Sequence, residues 1–271
     1  MTFDYADKVV FVAGGTSGIN LGIARGFAQA GASLFVISRS ADKVAAAVEE
    51  LKGLGVQAAG ASADVRDMAA VEAAFAQCAE AFGEVDVLVS GAAGNFPARA
   101  NNISSNGFRS VLEIDVLGTH HVMLAGYRHL KKPGGAIINI SAPQAIVAMT
   151  GQAHVCAAKA GVDMITRTLA LEWGPHGVRV NSVIPGPIED TEGMRRLAPS
   201  PEAMKQVERS VPLKRIGTKT DMANICLFLG SDCASYVSGA VIPVDGAWHL
   251  NMPGTALDPV LDMIDAAGRK H

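Results

Sequence analysis

The stretch V-V-F-V-A-G-G-T-S-G-I-N, residues 9–20, decides the fold. Val9–Ala13 is a short, unbroken apolar run, the form taken by a strand covered on both faces. It ends on Gly14-Gly15, and from Ile19 to Ala30 apolar residues recur at helical spacing. A glycine-rich turn between strand and helix lets the backbone approach a pyrophosphate, whose charge the helix's free N–H groups bind. Such a turn can also be a tight connection with no ligand; the strand before it and the helix after it favour the nucleotide reading. Gly14, Thr16, Ser17, Gly18 and Ile19 are therefore candidate cofactor residues, and Asn20 stands where a third glycine is usual.

The same alternation continues along the chain. Strand-like runs follow at Leu34–Ser38, Val56–Ala61, Val85–Ser90, Ala136–Ile140, Val178–Val183 and Ala240–Val244. Helical spacing occupies Ala41–Leu54, Met68–Phe82, Gly107–Leu130, Gln152–Trp173 and Lys219–Gly230. Short strands alternating with longer helices predict an α/β chain: a doubly wound, seven-stranded parallel sheet with helices on both faces. Pro243 cannot donate to a ladder, which predicts an edge position for the last strand. No linker composition divides the chain, so residues 1–271 read as a single Rossmann domain. A segment near 186–212, beyond the carboxyl end of the sixth strand, reads as a substrate lid. The tail, 246–271, reads as a surface or subunit-contact element.

Composition excludes several classes. A net charge of −3 and 5% aromatic residues offer no footprint for nucleic acid. No apolar run approaches the length of a membrane span, and the amino terminus M-T-F-D-Y-A-D-K is not a secretory signal. With no peroxisomal S-K-L ending, the expected location is cytoplasmic. Cys78, Cys156, Cys226 and Cys233 form no ligand spacing, nor do His120, His121 and His154, so no metal site is expected.

After the second strand comes Ser38-Arg39-Ser40. An acidic residue there would bind ribose hydroxyls and repel a 2′-phosphate; Arg39 can instead pair with that phosphate, which favours NADPH over NADH. A plain solvated arginine is the alternative. Asp64 is placed to hydrogen-bond adenine or to cap the next helix.

Taken together, G-G-T-S-G-I at 14–19, D-V at 64–65, A-A-G at 92–94, D-V-L-G at 115–118, Lys159, R-V-N-S at 179–182 and P-G at 185–186 resemble the short-chain dehydrogenase/reductase family. The match runs from about Lys8 to Gly246, with Ser90-Gly91 in place of a usual Asn pair. The resemblance implies that Val65, Ala92, Ala93, Gly94, Lys159, Pro185, Gly186 and Ile188 also contact the cofactor, and that the chain forms a homotetramer. A-A-G-N-F at 92–96, E-W-G-P at 172–175 and P-G-P-I-E-D-T-E-G-M-R-R-L at 185–197 are more narrowly similar to 2,4-dienoyl-CoA reductases of the peroxisomal type.

The segment S-A-P-Q-A-I-V-A-M-T-G-Q-A-H-V-C-A-A-K, 141–159, carries the departure that matters. Ala142 and Val155 occupy the places of the family's Ser and Tyr, and Tyr5, Tyr127 and Tyr236 all lie elsewhere. Ketone reduction, which needs that acid, is disfavoured. Hydride addition to a conjugated acyl thioester needs instead donors aimed at the thioester oxygen and a proton source for carbon. By resemblance, Asn95 is the oxygen donor, and Asp115 with Lys159 holds a water in place of Ser and Tyr. Phe96, Gln144 and Arg195 are further candidate substrate contacts, with Arg196 and Arg99 as cations for an acyl-CoA. His154 could donate to substrate but is as readily a packed residue. A silent NADP-binding sensor and a reductase of an unrelated small molecule are the competing readings.

Overall fold

The computed structural model describes residues 3–251 and 258–266. Seven strands form one parallel sheet: β1 Val9–Ala13, β2 Ser33–Ser38, β3 Ala58–Ser62, β4 Val87–Ser90, β5 Ala136–Ile140, β6 Arg179–Pro185 and β7 Val241–Val244. Their order is β3-β2-β1-β4-β5-β6-β7, so the chain reverses direction across the sheet between β1 and β4. That reversal opens a crevice at the carboxyl ends of the strands.

Successive residues of a strand point to opposite faces, and the central strands feed two cores. Val10 and Val12 join Leu34, Val36 and Ile138 on one side, beneath α1 (Gly18–Gln29), α2 (Ala41–Lys52) and α9 (Lys219–Gly230). Phe11 joins Phe35, Phe75 and Leu88 on the other, beneath α3 (Met68–Phe82), α5 (Gly118–His129) and α6 (Ala153–Trp173). The continuous apolar runs in the sequence have this cause: both faces are covered. Helices α1 and α9 come so close that a Cβ on Gly26 would lie 2.5 Å from that of Ala223. β7 pairs with β6 alone, which leaves Pro243 on the sheet edge where its missing N–H costs no ladder bond.

Three expectations need adjustment. Val85 lies outside β4 and makes an isolated bridge to Leu130, while β6 runs on to Pro185. The helix expected over Gly107–Leu130 is α4 (Ser105–Leu112), a π-helical turn over Glu113–Leu117 and α5. The lid segment holds two helices, α7 (Glu192–Leu197) and α8 (Pro201–Ser210). Within the tail, α10 (Asp258–Ala266) packs on its own chain, with Leu261 fully buried against Gly151. Residues 252–257 and 267–271 of the tail lie outside the described residues. Among those described, no helix is long and apolar enough to cross a membrane.

Candidate active site

Two adjoining cavities among those along the carboxyl edge of the sheet carry the candidate residues. The first, about 310 Å³, is lined by Gly14, Thr16, Ser17, Arg39, Asp64, Val65, Ala92 and Ala93. Gly14 has φ +76°, and a Cβ there would sit 3.0 Å from the Ala92 backbone, so the turns after β1 and β4 come this close only around a glycine. Ser17, the N-cap of α1, makes no side-chain cap bond, and the first turn carries no acidic residue. The amino end of α1 is thus left for an external anion, and Gly18 beside it has no neighbour within 4 Å of where a Cβ would be.

One end of this cavity is cationic. Arg39 lines it, and among the described residues it makes no ion pair. Lys43, from the first turn of α2, lines it too; its spacing from Arg39 has meaning only once Ser40 caps the helix, so the sequence alone does not single it out. Asp64 is gripped at both oxygens by Arg66, whose guanidinium holds the carboxyl below its ordinary range. It does not cap α3; Asp67 does, accepting from the Ala69 and Ala70 N–H groups.

The second cavity, about 540 Å³, continues from the first and shares Asn20, Gly91 and Ala93 with it. Lys159 and Asp115 meet in its floor, Nζ to Oδ2, at 3.1 Å, with side-chain exposures of 7% and 0%. Lys159 also donates to the Ile140 carbonyl at 3.3 Å, and Asp115 Oδ1 accepts the Gly94 N–H at 2.7 Å. Asp115 sits in the π turn, where the wider coil breaks the helical phase. Ala142 lines the wall, and Val155, also on the lining, packs with Val111 and Ala158. No hydroxyl replaces the missing acid at either position.

Ile19, Gly94, Asn95, Gln144, Pro185, Gly186 and Ile188 line the same cavity. Gln144 Oε1 and Gln152 Oε1 are buried there without a hydrogen-bond partner among the described residues, which suits a wall that meets a polar ligand. Phe96 turns away and packs with Val111, Val155 and Ala158. Arg195 is off the lining and pairs with Glu192; its neighbour Arg196 lines the cavity and donates to the Asn95 carbonyl at 3.1 Å.

The far wall was not legible in the sequence. Met149, Met194 and Trp248 line it, with Val260 from α10. Arg99 does not face the cavity: it pairs with Asp262 and Asp265, and Asn102 adds a bond to Asp265. It fastens α10 across the opening instead. Among the described residues no group of three His, Cys, Asp or Glu side chains could hold a metal ion.

The chain is similar in sequence and fold to several known proteins. A family model described as enoyl-(acyl carrier protein) reductase matches residues 13–249. A peroxisomal 2,4-dienoyl-CoA reductase (3E-enoyl-CoA-producing) of Rattus norvegicus is 43% identical over 91% of this chain and 85% of its own. A probable 2,4-dienoyl-CoA reductase (2E-enoyl-CoA-producing) of Bacillus subtilis is 39% identical over 90% of this chain and 97% of its own. Among solved structures, a short-chain dehydrogenase from Bacillus anthracis superposes with TM-score 0.83 at 38% identity, covering 91% of this chain and 98% of its own. A short-chain type dehydrogenase/reductase from Mycobacterium ulcerans reaches TM-score 0.90 at 30% identity, covering 96% of each. The likeness runs through nearly the whole length of sequence and fold, and the chain belongs to the short-chain dehydrogenase/reductase family of oxidoreductases.

Proposed function

We propose that this protein is an NADPH-dependent reductase of 2,4-dienoyl-CoA thioesters. The observation that carries the reading is the buried Lys159–Asp115 pair in a cavity with no acid at positions 142 and 155. A bound nicotinamide cofactor would supply hydride; Arg39 and Lys43 favour the form with a 2′-phosphate, and Lys159 would hold the ribose beside the nicotinamide. The names of the relatives, 2,4-dienoyl-CoA reductases in rat and Bacillus subtilis, point to the same substrate class.

Each residue has a distinct task. Asn95, exposed on the cavity lip, donates to the thioester oxygen, where charge collects after hydride reaches the far end of the diene. Gln144 lies on the same wall for a second contact to the acyl group. Asp115 fixes the Lys159 ammonium, and the two hold a water from which the dienolate carbon takes its proton. Met149, Met194 and Trp248 keep bulk water from the acyl chain. Met164 and Leu171, at 58% and 80% exposure on α6, support a homo-oligomer built through that helix.

The test is NADPH absorbance with a 2,4-dienoyl-CoA, with a 3-oxoacyl-CoA as control. Oxidation with the first and not the second is expected. NADPH binding without turnover of the dienoyl thioester would replace this reading with that of a silent NADP-binding protein.

A further inference from the structure

His154 opens α6 one residue before Val155 and is fully buried, yet it does not address the cavity. Its Nε2 lies 2.9 Å from the Phe96 carbonyl oxygen. A carbonyl only accepts, so the ring proton is on Nε2 and Nδ1 carries a lone pair. Nδ1 is buried with no hydrogen-bond partner among the described residues, and burial lowers the ring's pKa, so the neutral tautomer is retained. In this state His154 has no proton left to give a substrate.

It holds instead the Phe96–Pro97 peptide, one residue beyond Asn95. Three successive residues are pinned from three elements: Gly94 N–H to Asp115 at 2.7 Å, the Asn95 carbonyl to Arg196 at 3.1 Å, and the Phe96 carbonyl to His154. The π turn, the lid helix α7 and α6 each supply one clamp. The Phe96 ring, 4.4 Å from the imidazole, adds packing to the third. A donor that must meet developing charge gains from being held before the reaction. We propose that His154 is a positioning residue: its Nε2–H fixes the Phe96 carbonyl and so aims Asn95 at the acyl oxygen. This rests on the role given to Asn95 above.

Two substitutions divide the donor from the ring. His154→Gln can place an N–H near the Nε2 position without the aromatic ring, whereas His154→Phe keeps a ring and loses the donor. Loss of one hydrogen bond, about 1.4 kcal/mol, predicts a roughly tenfold lower kcat for His154→Phe. His154→Gln should stay within about threefold of wild type on the same scale. NADPH affinity should be unchanged in both. Hydrogen exchange of the amides of Gly94, Asn95, Phe96 and Ala98 should quicken in His154→Phe and not in His154→Gln, and His154→Asn, whose shorter amide falls short, serves if the Phe variant does not fold. Equal kcat and equal exchange in donor-bearing and donor-lacking variants would overturn the proposal and leave His154 as packing. A wild type that oxidises no NADPH with dienoyl-CoA would refute the substrate reading alone, and the exchange of these amides would still decide the role of His154.

Discussion

Asp115 makes two contacts that two substitutions can separate. Its carboxylate is fully buried, 3.1 Å from Lys159 Nζ, and accepts the Gly94 N–H at 2.7 Å. Asp115→Asn keeps an acceptor for Gly94 and removes the charge; Asp115→Ala removes both. Taking one member from a buried ion pair costs roughly 3–5 kcal/mol, because the partner is left uncompensated. Here Lys159 would retain the Ile140 carbonyl at 3.3 Å. An unfolding entropy of about 2.1 cal/mol/K per residue makes 1 kcal/mol worth about 2 °C in a chain of 271 residues. The Ala variant should therefore melt roughly 6–10 °C below wild type. By keeping one hydrogen bond, worth about 1 kcal/mol, the Asn variant should melt about 2 °C above the Ala variant. In turnover of a dienoyl-CoA, Asp115→Asn should lower kcat about a hundredfold, the low end for lost acid–base assistance. NADPH affinity, read by fluorescence titration, should hardly move. Calorimetry and stopped-flow absorbance measure these quantities. Coincident melting curves for the two variants would refute the Gly94 contact as a stabilising bond, and an unchanged kcat in Asp115→Asn would remove Asp115 from proton handling.

Other perturbations read other parts of the molecule. Arg39→Ala should raise KM for NADPH by about tenfold and leave KM for NADH nearly unchanged, as expected for loss of a charge-assisted phosphate contact; equal effects on both cofactors would count against it. Asp163 is buried and accepts from Ser182 Oγ at 2.8 Å, and burial raises its pKa. The native state then holds this proton more tightly than the unfolded chain does, so the group's stabilising contribution is full below the unfolded carboxyl range and is lost as pH rises through the raised native value. Asp163→Asn keeps an oxygen for Ser182 and cannot ionise; its melting temperature relative to wild type should climb as pH rises above the ordinary carboxyl range, and a constant offset would exclude ionisation as the cause. Val260→Trp should narrow the cavity's far wall and raise KM for long acyl chains more than for short ones. Arg99→Ala, which releases Asp262 and Asp265 of α10, should weaken that discrimination; chain-length profiles of kcat/KM decide both.

The sheet was legible because its strands are buried on both faces and so appear as unbroken apolar runs between glycine punctuation. The edge position of β7 followed from Pro243 alone. Parts of the site that depend on contacts distant in sequence were not legible. Arg99 carries nothing in its neighbours to show that Asp262 and Asp265, more than 160 residues away, will bind it. Phe96 lies in a motif that suggests substrate, but the small cluster around Val111 and Val155 takes its ring inward. Arg195 and Arg196 are adjacent and chemically alike; helical geometry in α7 alone decides that Arg196 lines the cavity. Lys43, Gln152 and Val260 each come from an element whose placement beside the cavity is a tertiary result.

The π turn at Glu113–Leu117 also bears on how such a site can arise or disappear. A helix keeps angular time, about 100° per residue, and a π turn is a local surplus of one residue in that count. Deleting one residue between 113 and 117 would restore an ordinary helix with α4 and α5 still in line, because the wider turn absorbs the surplus locally. The apolar layers under α3 and α6 would lose little volume, while Asp115 would leave Lys159. A buried carboxylate in this fold is thus one codon from absence, and its presence is a matter of helical phase as much as of residue type.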